Sequence, residues 1–158
     1  AVREASDIGL RSVSCRIGLV LGLGGGALPI QRRLFRAFLG GRLGSGRQWT
    51  PWIHIRDLAR ILIFCVENKS VSGAVNAVGP NPVTNRDYTE TLARVLDRPA
   101  FLPAPAFVLK NLPGGMGEIF LHGQRADPAV LRMRGFRWDF PDLESALRDL
   151  LPPPPPKS

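Results

Sequence analysis

Residues Val13–Leu21 read VSCRIGLVL, nine positions that are apolar almost without interruption, and they open directly into the glycine cluster Gly22, Gly24, Gly25 and Gly26. An amphipathic helix would show a 3.6-residue rhythm and a half-exposed strand would alternate; a continuous run with β-branched members does neither. It predicts a strand buried on both faces, as where helices cover both sides of a parallel sheet. The glycines predict a loop where backbone can approach a ligand closely. The first hundred residues continue to alternate extended and helical patterns, which indicates α/β architecture.

Pro29–Leu39 predicts a helix with Pro29 in its first turn, Leu34, Phe35 and Phe38 on one face, and Gly40-Gly41 as its stop. Trp49–Ile55 is an extended piece that Pro51 should keep from the centre of a sheet. Asp57–Val66 is helical and apolar on most of its circumference, so it should be deeply packed, with Asp57 favoured as its N-cap. Ala74–Val78 is a strand entering a Gly-Pro-Asn-Pro turn. Thr84 and Asp87 form a capping box for a helix whose Tyr88, Leu92, Val95 and Leu96 share a face. Ala100–Leu102 is a short strand.

Beyond residue 103 the chain changes character. Phe107–Leu112 and Gly117–His122 are short amphipathic pieces. A further helix starts at Asp127-Pro128, with Asp127 as N-cap, and stops at Gly135. The last helix starts at Pro141-Asp142 and carries Leu143, Ala146, Leu147, Leu150 and Leu151 at helical spacing. Pro152–Pro156 ends regular hydrogen bonding as an extended, solvated tail.

The 158 residues suffice for one domain with a real core, and 44% hydrophobic with 22% charged residues excludes a disordered chain or a coiled coil. The net charge of +8 is carried mainly by arginines scattered singly or in pairs, with no aromatic-basic interleaving. It reads as a basic surface that favours phosphate-bearing ligands over nucleic acid. No apolar run approaches the roughly 20 residues of a membrane helix. Cys15 and Cys65 cannot build a disulfide scaffold or a four-ligand zinc site. They read as small core residues in a reducing compartment, so an intracellular, cytoplasmic location is expected over a secreted one. A start at Ala1 without a basic-plus-apolar leader suggests a fragment or processed piece.

No nucleophile elbow, zinc-protease motif, paired-cysteine motif or phosphate-binding P-loop occurs. The one tyrosine, Tyr88, has Leu92 four residues on, so the Tyr-x-x-x-Lys pair that tunes a phenol for proton transfer is absent; Tyr88 reads as a packing residue. The densest stretch is Gly44–Asp57, with Gln48, Trp49, Trp52 and His54. It suits a pocket wall and equally suits tryptophans plugging a core. Arg125, beside Gln124, suits either an anion or a surface cap.

Three motifs carry a family resemblance: Arg16-Ile-Gly-Leu-Val-Leu-Gly-x-Gly-Gly-Gly-Ala-Leu; Leu39-Gly-Gly-x-Leu-Gly-Ser-Gly-Arg-Gln-x-x-Pro-Trp-Ile-His-Ile-x-Asp; and Gly123-Gln-Arg-x-x-Pro-x-x-Leu-x-x-x-Gly-Phe. In this order they resemble the atypical extended short-chain dehydrogenase/reductases, specifically the nucleoside-diphosphate-sugar-epimerase-like subgroup of the epimerase family. The resemblance implies the C-terminal part of a Rossmann-type parallel sheet plus a small, mostly helical substrate-side lobe. Residues 1–103 would be the partial NADP-binding portion, 104–151 the helical domain and 152–158 the tail. It implies an NADP-dependent oxidoreductase or epimerase whose glycine-rich phosphate fingerprint this chain lacks. The chain would contribute one wall of the cleft, be inactive alone and bind NADP weakly or not at all. Gly18, Leu19 and Val20 would lie beside the cofactor, and Gln48, Trp52 and His54 on the substrate wall; no catalytic or metal-binding residue is implied. The alternative is a non-catalytic interaction or regulatory module. Its open sheet edge and apolar face would favour self-association.

Overall fold

The apolar run folds as two strands. The computed structural model describes residues 9–100 and 123–152; in it β1 covers Val13–Ile17 and β2 covers Leu19–Leu21. β1 runs parallel to β5 (Gly73–Ala77), with Val13 opposite Gly73 and Ile17 opposite Ala77. β2 runs parallel to β4 (Trp52–His54), with Leu19 opposite Trp52 and Leu21 opposite His54. The change of partner falls on Gly18 for a steric reason. Gly18 N–H donates to Ala77 O (3.3 Å) and Leu19 N–H to Pro51 O (2.7 Å). A Cβ on Gly18 would lie 2.7 Å from that same Pro51 oxygen. The parallel pairs establish the α/β reading and correct the expectation of one continuous strand.

Pro51 marks the matching break in the facing segment. Trp49–Thr50 forms β3, antiparallel to β6 (Val83–Thr84), and after the proline β4 pairs with β2. All three residues of β4 are buried. β4 is thus covered, yet among the described residues β3 and β4 each pair on one side only, as expected of a piece that Pro51 keeps from the centre of a sheet; the missing N–H falls at the boundary between two ladders.

Helix α1 spans Ala27–Arg36. Its stop is Phe38, at φ 60°, and not the expected Gly40-Gly41. Phe38 N–H donates to Phe35 O (3.0 Å) and Leu39 N–H to Leu34 O (2.8 Å), the paired bonds of a left-handed helix terminus. Phe35 is buried, but Leu34 and Phe38, expected on the same covered face, are exposed. Helix α2 spans Ile55–Glu67. The guanidinium of Arg11 closes its C-terminus, donating to the carbonyls of Cys65 (2.8 Å), Val66 (2.9 Å) and Val71 (2.9 Å). Helix α3 spans Asn85–Leu96 and follows the sequence reading closely. Thr84 Oγ1 accepts from Asp87 N–H (3.2 Å) and Asp87 Oδ2 from Thr84 N–H (3.3 Å), completing the capping box.

In the C-terminal part, α4 is Ala129–Met133 and α5 is Leu143–Leu150. Asp127 does not cap α4; its carboxylate pairs with Arg132 at 3.0 Å, and Pro128 holds the cap position. Gly135, at φ 78°, follows the helix as expected. The pieces expected at 107–112 and 117–122, most of the strand at 100–102, residues 1–7 and the proline run from 153 on lie outside the described residues.

Two apolar clusters hold these elements. One joins Trp52, Tyr88 and Leu92 to Leu28 and Phe35 of α1 and to Leu143 and Leu147 of α5. The other joins Ile61 and Cys65 of α2 to Val75 and Ala77 of β5, closed by Leu131 and Phe136. Cys65 is buried and Cys15 half-buried, both free. Burial, helped by the nearby Cys15, pushes the Cys65 thiol up to about 11, so it is an inert core group. Among the described residues no helix is long and apolar enough to cross a membrane, and no cluster of acidic, histidine or cysteine side chains could hold a metal.

Candidate functional site

The partner switches at Gly18 and Pro51 leave a gap in the layer of strands. The end of β1, the start of β2, β3 and residues 123–126 surround a cavity of about 970 Å3 there. Gly18, Leu19 and Val20 all line it. The N–H groups of Gly18 and Leu19 are spent on Ala77 and Pro51, so these two residues offer surface and shape, not donors. Val20 also lines a second cavity, of about 340 Å3, formed with the glycine loop and Ile55. It is the partition between the two.

The opposite wall is placed by a glycine. Gly123 lies against the Trp49 carbonyl so closely that any Cβ would collide with it. That approach carries Arg125 over the Trp49 ring, with the guanidinium carbon 5.2 Å from the ring centroid, a cation–π contact. Arg16, the single charge in the apolar run, lines the cavity from β1. Among the described residues neither arginine has an ion-pair partner, and the lining has no carboxylate, histidine, tyrosine, cysteine or lysine. The described lining therefore offers two cations, an aromatic plate and apolar walls, and among the described residues no group with a pKa suited to proton transfer near neutrality.

Gln48, Trp52 and His54 lie outside this lining. Gln48 braces a turn: its Nε2 donates to Leu43 O (2.9 Å) and its carbonyl accepts from Asn85 N–H (2.8 Å). Trp52 is buried in the core beneath Gly79. His54 is fully buried and is the N-cap of α2, its Nδ1 accepting from Arg56 N–H (3.1 Å). An accepting Nδ1 puts the proton of the neutral ring on Nε2, which lies 3.3 Å from Asp149 Oδ2. The ring stacks on Phe140 at 3.8 Å. Burial holds His54 below its ordinary pKa, against the opposing pull of Asp149 and Asp57.

Asp57 is thus not the helix cap. Its buried carboxylate accepts from the backbone N–H groups of Asp139 and Phe140 (both 2.9 Å) and from Arg60 (3.0 Å). It latches α2 to the C-terminal part. Tyr88 is the packing residue its surroundings suggested: its hydroxyl donates to Gln31 Oε1 at 2.8 Å, and burial raises its pKa further out of range. Of the two readings open for Trp49, pocket wall or core plug, the lining of the cavity fits the first; Arg16 went unassigned in the sequence, and the lone charge inside an apolar strand was the available signal for it.

Residues 104–150 match the family model described as a domain of unknown function, DUF1731. The chain is 42% identical over 144 residues to the epimerase family protein YfhF of Bacillus subtilis, covering 91% of this chain and 47% of that protein. It is 42% identical over 142 residues to mouse epimerase family protein SDR39U1, covering 89% and 48%. The crystal structure of human SDR39U1 (isoform 2) with NADPH matches with a TM-score of 0.84 at 39% identity, covering 90% of this chain and 48% of that one. The chain spans about half the length of the curated relatives it matches.

Proposed function

Since this chain is a homologue of the epimerase family proteins over about half of their length, we propose that it forms one wall of an NADP and substrate cleft and does not turn over substrate alone. The observation that carries this reading is the cavity: two arginines and an aromatic plate for an anionic, ring-bearing ligand, with no proton-transfer group in its described lining. The Gly18–Val20 segment is the cofactor side. Trp49, Arg125 and Arg16 take the wall role expected of Gln48, Trp52 and His54, which instead fix the fold around them.

The residues present fit such a cofactor in part. Their shape and charge suit a flat, anionic molecule, but the sequence has no glycine-rich fingerprint to hold a pyrophosphate at a helix N-terminus. When bound, a nicotinamide cofactor supplies hydride exchange at a carbonyl or alcohol carbon. This chain's own contribution is to orient the ligands and draw them by charge.

The test is a titration of NADPH followed by nicotinamide fluorescence. No saturable change is expected across micromolar concentrations. Tight, stoichiometric binding would give this chain a whole cofactor site and overturn the reading. The interaction-module reading has one observation in its favour, the uncovered outer side of α2.

A further inference from the structure

Helix α2 was expected to be deeply packed, and its inner side is: Leu58, Ile61 and Cys65 are buried. Its outer side is apolar as well. Ile55 is 44% exposed, Leu62 42%, Ile63 56% and Val66 72%, and Ala59 is exposed between them. Ile55, Ala59, Leu62 and Val66 are spaced four, three and four residues apart. That is the seam spacing of a two-stranded coiled coil, sustained for three turns. A water-facing helix of a finished monomer carries charge along this line.

We propose that this seam is an interaction surface whose occupant is a second copy of this chain, with the two α2 helices antiparallel about a two-fold axis between Ala59 and Leu62. A two-fold axis makes the seam self-complementary. Ile55 lies opposite Val66 of the second copy, and Ala59 opposite its Leu62. Each layer then sets a small or β-branched residue against a larger one, and Ala59 allows the helices to approach closely at the centre.

Charge fits the antiparallel orientation. Arg56, 65% exposed although it pairs with Asp149 of its own chain at 3.3 Å, is at one end of the seam, and Glu67, exposed and without an ion-pair partner among the described residues, is at the other. The two-fold axis brings Arg56 of each copy to the end that holds Glu67 of the other. A parallel pairing would set like charges together. By contrast the other exposed apolar ridge, Ile30, Leu34 and Phe38 on and beyond α1, is flanked by Arg33 and Arg36, with no acidic residue in the helix to answer them. Two copies of that ridge would repel. A single helix face about 20 Å long buries less than the roughly 1,200 Å2 of a standard interface, so the dimer is weak and concentration-dependent.

Sedimentation velocity on the purified chain over a concentration series tests this. A monomer–dimer equilibrium is expected. Leu62→Glu should raise its dissociation constant by about tenfold or more, whereas Leu34→Glu should leave it unchanged. Arg56→Glu and Glu67→Arg should each weaken the dimer, and the double variant should recover it, which decides the matter even if Leu62→Glu fails to fold. A monomer at every concentration, a dimer that survives Leu62→Glu, equal loss with Leu34→Glu, or no recovery in the double variant each overturns the proposal. So does assembly into large aggregates without a dimer.

Discussion

Helices α2 and α3 differ in length by a single residue, 13 against 12, yet only α3 has the surface of a finished protein. Its buried side holds Tyr88 and Leu92, and its outer side carries Arg86 and Glu90 as an ion pair at 2.8 Å. Its start is closed by its own capping box. The start of α2 is capped locally by His54, but its C-terminus is closed by the distant Arg11, the Asp57 latch ties it to the C-terminal part, and its outer side stays apolar. The lesson is that burial on one face does not complete a helix. A chain that spans half of its relatives' length can fold its local elements fully and still present a face suited to another surface.

The sharpest way to break this contrast is Asp57→Ala. It leaves the backbone donors of Asp139 and Phe140 without their acceptor and removes the tie between α2 and the C-terminal part. A loss of about 3 kcal/mol or more is expected in urea unfolding. Next is a paired comparison. Leu92→Ala, inside α3's core, should cost roughly 2–5 kcal/mol, and Leu62→Ala, on α2's outer side, under about 0.5 kcal/mol in the dilute monomer. Equal losses would show that the α2 face is covered. Thr84→Ala removes the α3 cap and should cost about 1 kcal/mol. The smallest effect concerns pH. His54 is held below its ordinary value of 6.5 by burial, so the unfolded chain binds the proton first. Stability should be full above pH 6.5 and decline as pH falls below it. His54→Asn keeps a cap acceptor and should flatten that part of the profile in unfolding curves.

What could be read in the sequence was local. The apolar run announced strands in a parallel arrangement, but not their burial, since of its nine residues only Leu21 is buried and Ile17 is 52% exposed; Thr84 with Asp87 announced both the start and the capping chemistry of α3, because those partners lie three residues apart. The Asp57 latch could not be read this way: its backbone donors are 82 and 83 residues away, and a carboxylate at a helix start looks like a cap. The strand switch at Gly18 depends on a carbonyl of Pro51, which only the fold brings near. The stop at Phe38 replaced an obvious pair of glycines because Gly40 was needed beneath the Phe35 ring, where a Cβ would collide. The apolar circumference of α2 was legible, but periodicity reports that a face is apolar, not whether anything covers it. Gly18, Leu19 and Val20, which the family motif led one to expect beside a cofactor, line the larger cavity. The Trp49–Arg125 pair depends on Gly123 crossing Trp49, a contact between segments 74 residues apart in sequence.

The most direct measurement of the cleft is an amide NMR spectrum of the chain recorded with increasing NADPH. The account predicts fast-exchange shifts confined to the residues around Gly18–Val20, Arg16, Trp49 and Arg125, growing without saturation as the nucleotide is added. Shifts clustered elsewhere, or an early plateau at one nucleotide per chain, would contradict it.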